Sequence, residues 1–185
     1  SERVAWEEGI EDDRMAGNKT TFSAMLMTNN IRVSITAMAL GMTFGIGTVI
    51  VLFFNGVILG AVACDYVLDG QTVFLLGWLL PHGAVEIPAI LLGGQCGFVI
   101  AGAMIGWGSS ASMSTRFRRV TPDVVTLIFG VALLLVWAGI VEAFVSQYHQ
   151  PVLVYGLKIA FGVTELTLLF LYLELAGRSR AVASG

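Results

Sequence analysis

Long stretches of apolar residues, interrupted by few charges, dominate the chain. No aspartate, glutamate, lysine or arginine occurs from Val33 to Cys64 or from Ile87 to Thr115. A helix needs about 20 apolar residues to cross the hydrocarbon core of a bilayer, and each of these runs is longer than that. The pattern therefore predicts an all-α protein, a polytopic helical membrane bundle.

Both uncharged runs belong to apolar segments that are too long for a single crossing, which predicts a break in each. At 1.5 Å per residue the first segment would extend to roughly 50 Å. We expect the first break at Asn55 and Gly56. Pro81 and Gly83 mark the second, because proline and glycine interrupt backbone hydrogen bonding.

The later apolar segments predict simpler helices. One is expected to begin at Pro122, with Thr121 as its N-cap, and the last follows a turn at Gln150–Pro151. Four full crossings result, at about residues 31–54, 85–107, 122–145 and 152–175. The short pieces at residues 55–67 and 72–80 are interpreted as a re-entrant helical hairpin, and six short crossings are the alternative.

This interpretation divides the chain into three parts. Residues 1–28 form a polar to amphipathic segment, residues 29–176 a single transmembrane domain, and residues 177–185 a cytoplasmic tail. The acidic beginning is the reverse of the basic flank of a signal peptide, and we expect the native chain to extend before Ser1.

Arginines predict the orientation in the membrane. Those that flank the last two predicted helices are Arg116, Arg118, Arg119, Arg178 and Arg180. The segment between those helices, Ser146–Gln150, has none. Because basic loops stay inside, the first three arginines form a cytoplasmic basic loop. We expect both termini in the cytoplasm and the protein in the inner (plasma) membrane.

Composition mainly excludes other classes of protein. Only 12% of the residues are charged, and the mean hydropathy is +0.83. No basic tract suggests a nucleic-acid partner. Cys64 and Cys96 lie in apolar runs and are interpreted as packing residues. No motif indicates a cofactor.

Four ionisable residues fall at one depth of the predicted bundle, namely His82, Glu86, Glu142 and Lys158. His82 and Glu86 are four positions apart and share one helix face. A charge inside a membrane is costly unless it is paired. We therefore expect these four groups to face one another in the outer half of the bilayer.

Lys158 also belongs to a polar stripe with helical spacing, together with Tyr155, Gly162, Glu165 and Tyr172. In one interpretation the stripe packs against the bundle, with Lys158 and Glu165 paired as structural glue. In the other it lines an aqueous vestibule or proton path.

A metal site is a weaker interpretation of the same polar groups. His82, Glu86 and Glu142 combine the imidazole and carboxylate ligands that zinc accepts. The sequence lacks an HExxH motif, however, and a structural hydrogen-bond knot around Pro81 is favoured.

Small residues four apart predict close helix contacts, at Gly41/Gly45, Gly93/Gly97 and Gly102/Gly106. We expect these contacts to be internal, and a homo-oligomer face is the alternative.

Several strings resemble the stage II sporulation protein M family, also catalogued as a domain of unknown function. The most distinctive is Leu80–Ile90, with the pattern His-Gly-x-x-Glu-x-Pro-Ala. The others are Asn29–Arg32, Phe44–Thr48, Asn55–Gly60, Gly94–Gly97 and Ile140–Phe144. The resemblance implies a membrane protein like the founding member, which anchors cell-wall hydrolases during engulfment in bacterial sporulation. It also implies many relatives in bacteria and archaea that form no spores.

Three classes of function remain open. The first is a non-catalytic scaffold of the cell envelope or its peptidoglycan-remodelling machinery, with membrane or envelope protein partners and a homo-oligomer as one arrangement. The second is a small-solute, ion or proton transporter or channel, and the third an intramembrane metalloenzyme. We do not expect an enzyme. A transporter needs a wet cavity, so the decisive question is whether the four ionisable residues line water or are sealed.

Overall fold

Five helices form the part of the chain that the computed structural model describes, residues 16–146 and 153–183. They are α1 (Ala16–Ala39), α2 (Ile46–Leu68), α3 (Thr72–Ile105), α4 (Met113–Val141) and α5 (Tyr155–Ala183). A 3-10 turn, Leu40–Thr43, follows α1, and a π-helical turn, Glu142–Ser146, follows α4. These residues contain no strand, which confirms the predicted all-α class.

Among the described residues, four helices are long and apolar enough to cross a membrane. They are Ile46–Leu68, Thr72–Ile105, Met113–Ser146 and Tyr155–Ala176. This confirms the predicted polytopic membrane bundle. The crossings differ from the predicted ones in where they begin and end.

The central helix is α3, because each of the other four packs against it. Contacts along α3 also give the directions of its neighbours. Asn30 at the middle of α1 bonds Glu86, whereas Gly45, just after α1, lies beside Ala101, so α1 runs parallel to α3. Neighbouring helices along the chain alternate in direction.

The two ends of the bundle have different chemistry. The histidine end holds the 69–71 turn, His82 and the π turn Glu142–Ser146. The arginine end holds the 106–112 loop and Arg116. Because α1 and α5 both run from the histidine end to the arginine end, the start of α1 and the end of α5 lie at opposite ends. The side on which the N-terminus lies stays a prediction, because residues 1–15 lie outside the described residues.

The predicted break at Asn55 and Gly56 is wrong, because both residues lie inside the continuous helix α2. A helix in lipid keeps its backbone hydrogen bonds, since there is no water to replace them. The chain breaks earlier, where Phe44 and Gly45 have positive φ values of 56° and 84°. The hydroxyl of Thr43 supports this bend by donating to the Leu40 carbonyl and accepting from the Gly47 amide.

The predicted break at Pro81 and Gly83 is also wrong, since α3 continues through both residues and through Pro88. Proline is tolerated inside membrane helices where neighbouring groups accommodate the backbone that it frees. Residues 55–67 and 72–80 therefore belong to two complete helices. The re-entrant hairpin is predicted from these two breaks, and neither break is present in the structure.

The basic loop predicted before Pro122 is helical instead. Ser112 caps the N-terminus of α4 by accepting a hydrogen bond from the Thr115 amide, so Arg116, Arg118 and Arg119 lie in its first two turns. The N-cap predicted at Thr121 is wrong for this reason. The backbone of α5 likewise continues through Ala183, into the predicted tail. The turn predicted at Gln150–Pro151 lies outside the described residues.

Glycines allow α1, α2 and α3 to approach closely. A Cβ atom on Gly97 would collide with the Ala37 carbonyl oxygen and lie 2.7 Å from the Thr48 hydroxyl. A Cβ on Gly41 would collide with the Gly97 backbone. Internal packing is thus confirmed for these glycines. Gly102 differs, because a Cβ atom on it would meet no other atom within 4 Å.

Candidate functional site

A polar cluster lies inside the bundle at its histidine end, where three helices meet. It consists of His82 on α3, Glu142 and Ser146 on the π turn, and Lys158 on α5. Their exposed fractions are 4%, 3%, 0% and 1%, respectively. Three of the four groups predicted to face one another therefore do so. They are sealed rather than open to solvent.

The imidazole of His82 joins the cluster through one ring nitrogen. Its Nδ1 lies 2.7 Å from Oε2 of Glu142 and 2.9 Å from Oγ of Ser146. The contact with Ser146 is a hydrogen bond whose direction depends on the tautomer of the imidazole, and the contact with Glu142 is at ion-pair distance. The indole of Trp78 stands edge-on to the imidazole, with 6.1 Å between ring centroids.

Lys158 joins α5 to the π turn that follows α4. Its Nζ donates a hydrogen bond of 2.8 Å to the backbone carbonyl oxygen of Ser146. A cation near the C-terminal part of a helix also complements the helix dipole. Lys158 further interacts electrostatically with Glu142 and lies 5.8 Å from the centroid of the Tyr155 ring.

The π-helical turn gives Glu142 and Ser146 their positions. Such turns insert a residue into an α-helix and occur often at functional sites. Here the turn buries both side chains and leaves the Ser146 carbonyl facing Lys158. Sequence reasoning missed Ser146 and assigned it to an outer loop. Its position four residues after Glu142 was the available signal.

Glu86 extends the cluster toward α1. The side-chain amide of Asn30 donates a hydrogen bond to Oε1 of Glu86, which is only partly buried. Glu86 also interacts electrostatically with His82 and Glu142. Asn30 belongs to the string Asn29–Arg32 that resembles the family, and its position in the sequence gives no sign of a contact with Glu86.

Aromatic rings cover the polar cluster on the side that faces the histidine end of the bundle. Tyr66 of α2 stacks on Phe74 of α3, with 5.6 Å between centroids, and Phe74 meets Tyr155 edge-on at 5.9 Å. Tyr155 fits there because Gly77 opposite it has no side chain; a Cβ on Gly77 would lie 2.5 Å from the Tyr155 ring. This packing helps to exclude water from Lys158.

The predicted pair of Lys158 and Glu165 is not formed. The two residues are two helical turns apart, or about 10 Å along the axis. Lys158 reaches the Ser146 carbonyl, and Glu165 instead accepts a hydrogen bond from the indole N–H of Trp137 on α4. Within the predicted stripe, Tyr155, Lys158 and Gly162 are buried, while Tyr172 is 66% exposed.

The geometry does not form a serine-histidine-acid triad. In such a triad the serine and the carboxylate contact different ring nitrogens, so that a proton passes across the imidazole. Ser146 and Glu142 both approach Nδ1 of His82. Within residues 16–146 and 153–183, no three His, Cys, Asp or Glu side chains are grouped so as to hold a metal ion.

Arg116 has a structural position at the opposite end. Its guanidinium donates to the carbonyls of Ala103 and Met104 at the end of α3, over 2.8 and 3.1 Å, and to that of Ala111 over 2.8 Å. It therefore caps α3 and fixes the following loop. Arg118 and Arg119 are exposed.

Comparisons with known proteins identify the family of the chain. The family model described as stage II sporulation protein M matches residues 2–147, which include His82, Glu86 and Glu142 but not α5. An uncharacterized protein of Methanocaldococcus jannaschii is 27% identical over 127 residues, which are 68% of this chain and 69% of that protein. No solved structure matches. The family model covers most of the length of this chain, and the chain therefore belongs to the stage II sporulation protein M family.

Proposed function

We propose that this protein is a non-catalytic integral membrane scaffold that holds other membrane or envelope proteins in place. The observation that carries the proposal is the sealed state of the polar cluster. His82, Glu142, Ser146 and Lys158 are each at most 4% exposed, and hydrogen bonds join Ser146 both to His82 and to Lys158. Such a cluster holds helices together without a substrate.

The outer surface of the bundle supports the same proposal. The outward side chains of α2 are large and apolar, among them Phe53, Phe54 and Ile58 at 65%, 60% and 64% exposure. The second half of α5 is similar, with Leu168 and Phe170 each 61% exposed. Lipid satisfies such faces, and so do the transmembrane helices of partner proteins.

Membership of the family supports a link to the cell envelope. The resemblance is to a family whose founding member anchors cell-wall hydrolases. We extend the anchoring role to this chain, but not the identity of the anchored proteins. We place the arginine end in the cytoplasm, since Arg118 and Arg119 are exposed there and basic segments remain inside. The histidine end, with the start of α1, then faces outward from the plasma membrane.

Site-specific photo-crosslinking in native membranes tests the proposal. A photo-reactive side chain replaces Ile58 on α2 or Leu168 on α5, and Ala138, which is 2% exposed, serves as the buried control position. A scaffold gives discrete crosslinked proteins, the same ones in replicate preparations, from one or both outward positions. Crosslinks to lipid alone from both positions contradict it.

A further inference from the structure

The second half of α3 has an outward face with the spacing of a helix–helix interface. Its members are all exposed and follow one another at alternating intervals of four and three residues; they are Leu91, Gln95, Phe98, Gly102 and Ile105. This alternation is the heptad spacing of two helices that pack along a left-handed seam. Helices inside membranes commonly pack with the same geometry.

The same side of α3 is covered nearer to the histidine end. Gly77 lies two heptads before Leu91, and the ring of Tyr155 on α5 packs against it. Gly162 of α5 lies in the same way against the carbonyl of Leu80. This side of α3 is therefore a packing surface in its first half. Among the described residues, α5 does not cover its second half, from Leu91 onward.

Gln95 is the polar member of the open face and lies near the middle of the bilayer. The end of α3 is close to the membrane interface, because the exposed Trp107 follows it and tryptophan favours that depth. Gln95 is ten residues, or about 15 Å, before Ile105, which is half the thickness of the hydrocarbon core. Within residues 16–146 and 153–183, its side-chain amide has no hydrogen-bond partner. Lipid chains supply none, so an unpaired amide at this depth is costly.

We propose that a second copy of this chain packs on the open face of α3, with the two Gln95 side chains hydrogen-bonded to each other across a twofold axis. A carboxamide has both a donor and an acceptor, so Gln95 is complementary to its own copy. Two copies inserted in the same direction are related by an axis along the membrane normal. Their α3 helices are then parallel, and each heptad position meets its equivalent.

The face fits a second copy better than lipid or an unrelated helix. A polar side chain at one position of a heptad seam fixes the register of the pair, and Gln95 occupies such a position. Gly102, one heptad further on, has no atom within 4 Å of where its Cβ would be and lets a second helix approach closely. The proposal is independent of the scaffold function, whose partners are other proteins.

Self-association in lipid vesicles tests the role of Gln95. Single-molecule photobleaching counts the copies in each particle, with a fluorophore on the exposed Cys64, over a series of protein densities. We expect dimers of the parent at high density. Gln95→Leu should raise the dissociation constant by about 3- to 20-fold, the range for hydrogen bonds between membrane helices, and Gln95→Asn should stay closer to the parent.

The matched control is Asn55→Leu, which removes a carboxamide from another membrane helix and should leave the dissociation constant unchanged. Gln95→Leu replaces a side chain at the exposed face, so its unfolding midpoint in a detergent that keeps the protein monomeric should not fall below that of the parent. A parent that is monomeric at every density overturns the proposal. Equal dissociation constants for the parent and Gln95→Leu also overturn it.

Cysteine crosslinking in native membranes locates the contact. In a Cys64→Ala background, Leu91→Cys lies one turn before Gln95, and Ile58→Cys on α2 is a control of similar exposure, 64% against 58%. Oxidation should link two copies through position 91 but not through position 58, and adding Gln95→Leu should lower the yield. The absence of links between copies at position 91, or links from it to a different protein, overturns the proposal.

Discussion

Lys158 donates a hydrogen bond to the carbonyl oxygen of Ser146, and so joins the fifth helix to the buried end of the fourth. The contact measures 2.8 Å, and both residues are buried. Lys158 lies beyond residue 147, where the match to the family model ends. A residue outside the matched region thus completes a cluster whose acids and histidine lie within it.

Replacing Lys158 by methionine should destabilise the protein strongly. The change leaves Glu142 and the Ser146 carbonyl without their cation, and loss of one partner of a buried ion pair costs about 3–5 kcal/mol. The measurement is thermal unfolding in detergent. Arg118→Met, at an exposed position, is the control and should melt close to the parent.

A double-mutant cycle shows whether Lys158 and Glu142 act as a unit. The variant that combines Lys158→Met with Glu142→Leu should lose less stability than the two single variants together, by about 0.5–3 kcal/mol. Additive losses would mean that the two groups are not coupled.

Replacements of Glu142 should differ according to whether they keep a hydrogen-bond acceptor. Glu142→Gln keeps a side-chain oxygen beside His82 and Lys158, whereas Glu142→Ala removes the whole polar group from a buried cluster, and a buried polar group that loses its partner costs about 1–3 kcal/mol. We expect Glu142→Ala to melt at a lower temperature than Glu142→Gln, and both below the parent. Equal melting of all three proteins would contradict the bonded cluster.

Alanine at two glycines of the same helix should have different effects on stability. Gly97→Ala places a methyl group against the Ala37 carbonyl, and backbone cannot move aside as a flexible side chain can. Gly102→Ala meets no atom within 4 Å. It should be neutral or stabilise α3 by up to about 1 kcal/mol, because alanine favours helix. A midpoint for Gly97→Ala equal to that of Gly102→Ala would show that α1 and α3 do not pack as described.

Much of the candidate site could be predicted from the sequence, because charges inside apolar segments must find partners. This argument brought His82, Glu142 and Lys158 together correctly. It failed for Glu165, since helical spacing does not reveal that α5 turns this side chain toward Trp137. The argument also could not predict that Lys158 bonds the carbonyl of Ser146. This bond depends on the π-helical turn of the backbone, which the side-chain pattern does not reveal.

The helix breaks could not be predicted for a different reason. Gly56 and Pro81 disfavour a helix in water, but a bilayer offers no competing hydrogen bonds and the helices continue. The actual break at Phe44–Gly45 depends on the Thr43 hydroxyl and on a positive φ at both residues. Because the chain contains many glycines, the sequence does not distinguish this position from other possible breaks.

Cysteine labelling in intact cells tests the orientation. In a Cys64→Ala background, cysteine at Ser110 marks the arginine end and cysteine at Asp69 marks the histidine end. Cys96 remains because it is fully buried. We expect the Asp69 position to react with membrane-impermeant reagents and the Ser110 position to react only with permeant ones. The reverse pattern would place the polar cluster on the cytoplasmic side.

Ion and proton flux in reconstituted vesicles tests the central claim, that the buried cluster is sealed and holds the helices together. The parent protein is compared with Glu142→Gln and with protein-free vesicles, under proton, sodium and potassium gradients in turn. A sealed cluster predicts rates for the parent that equal those of protein-free vesicles under every gradient. Flux through the parent that Glu142→Gln abolishes, while the variant remains folded, would contradict the account and assign the cluster to a transport path.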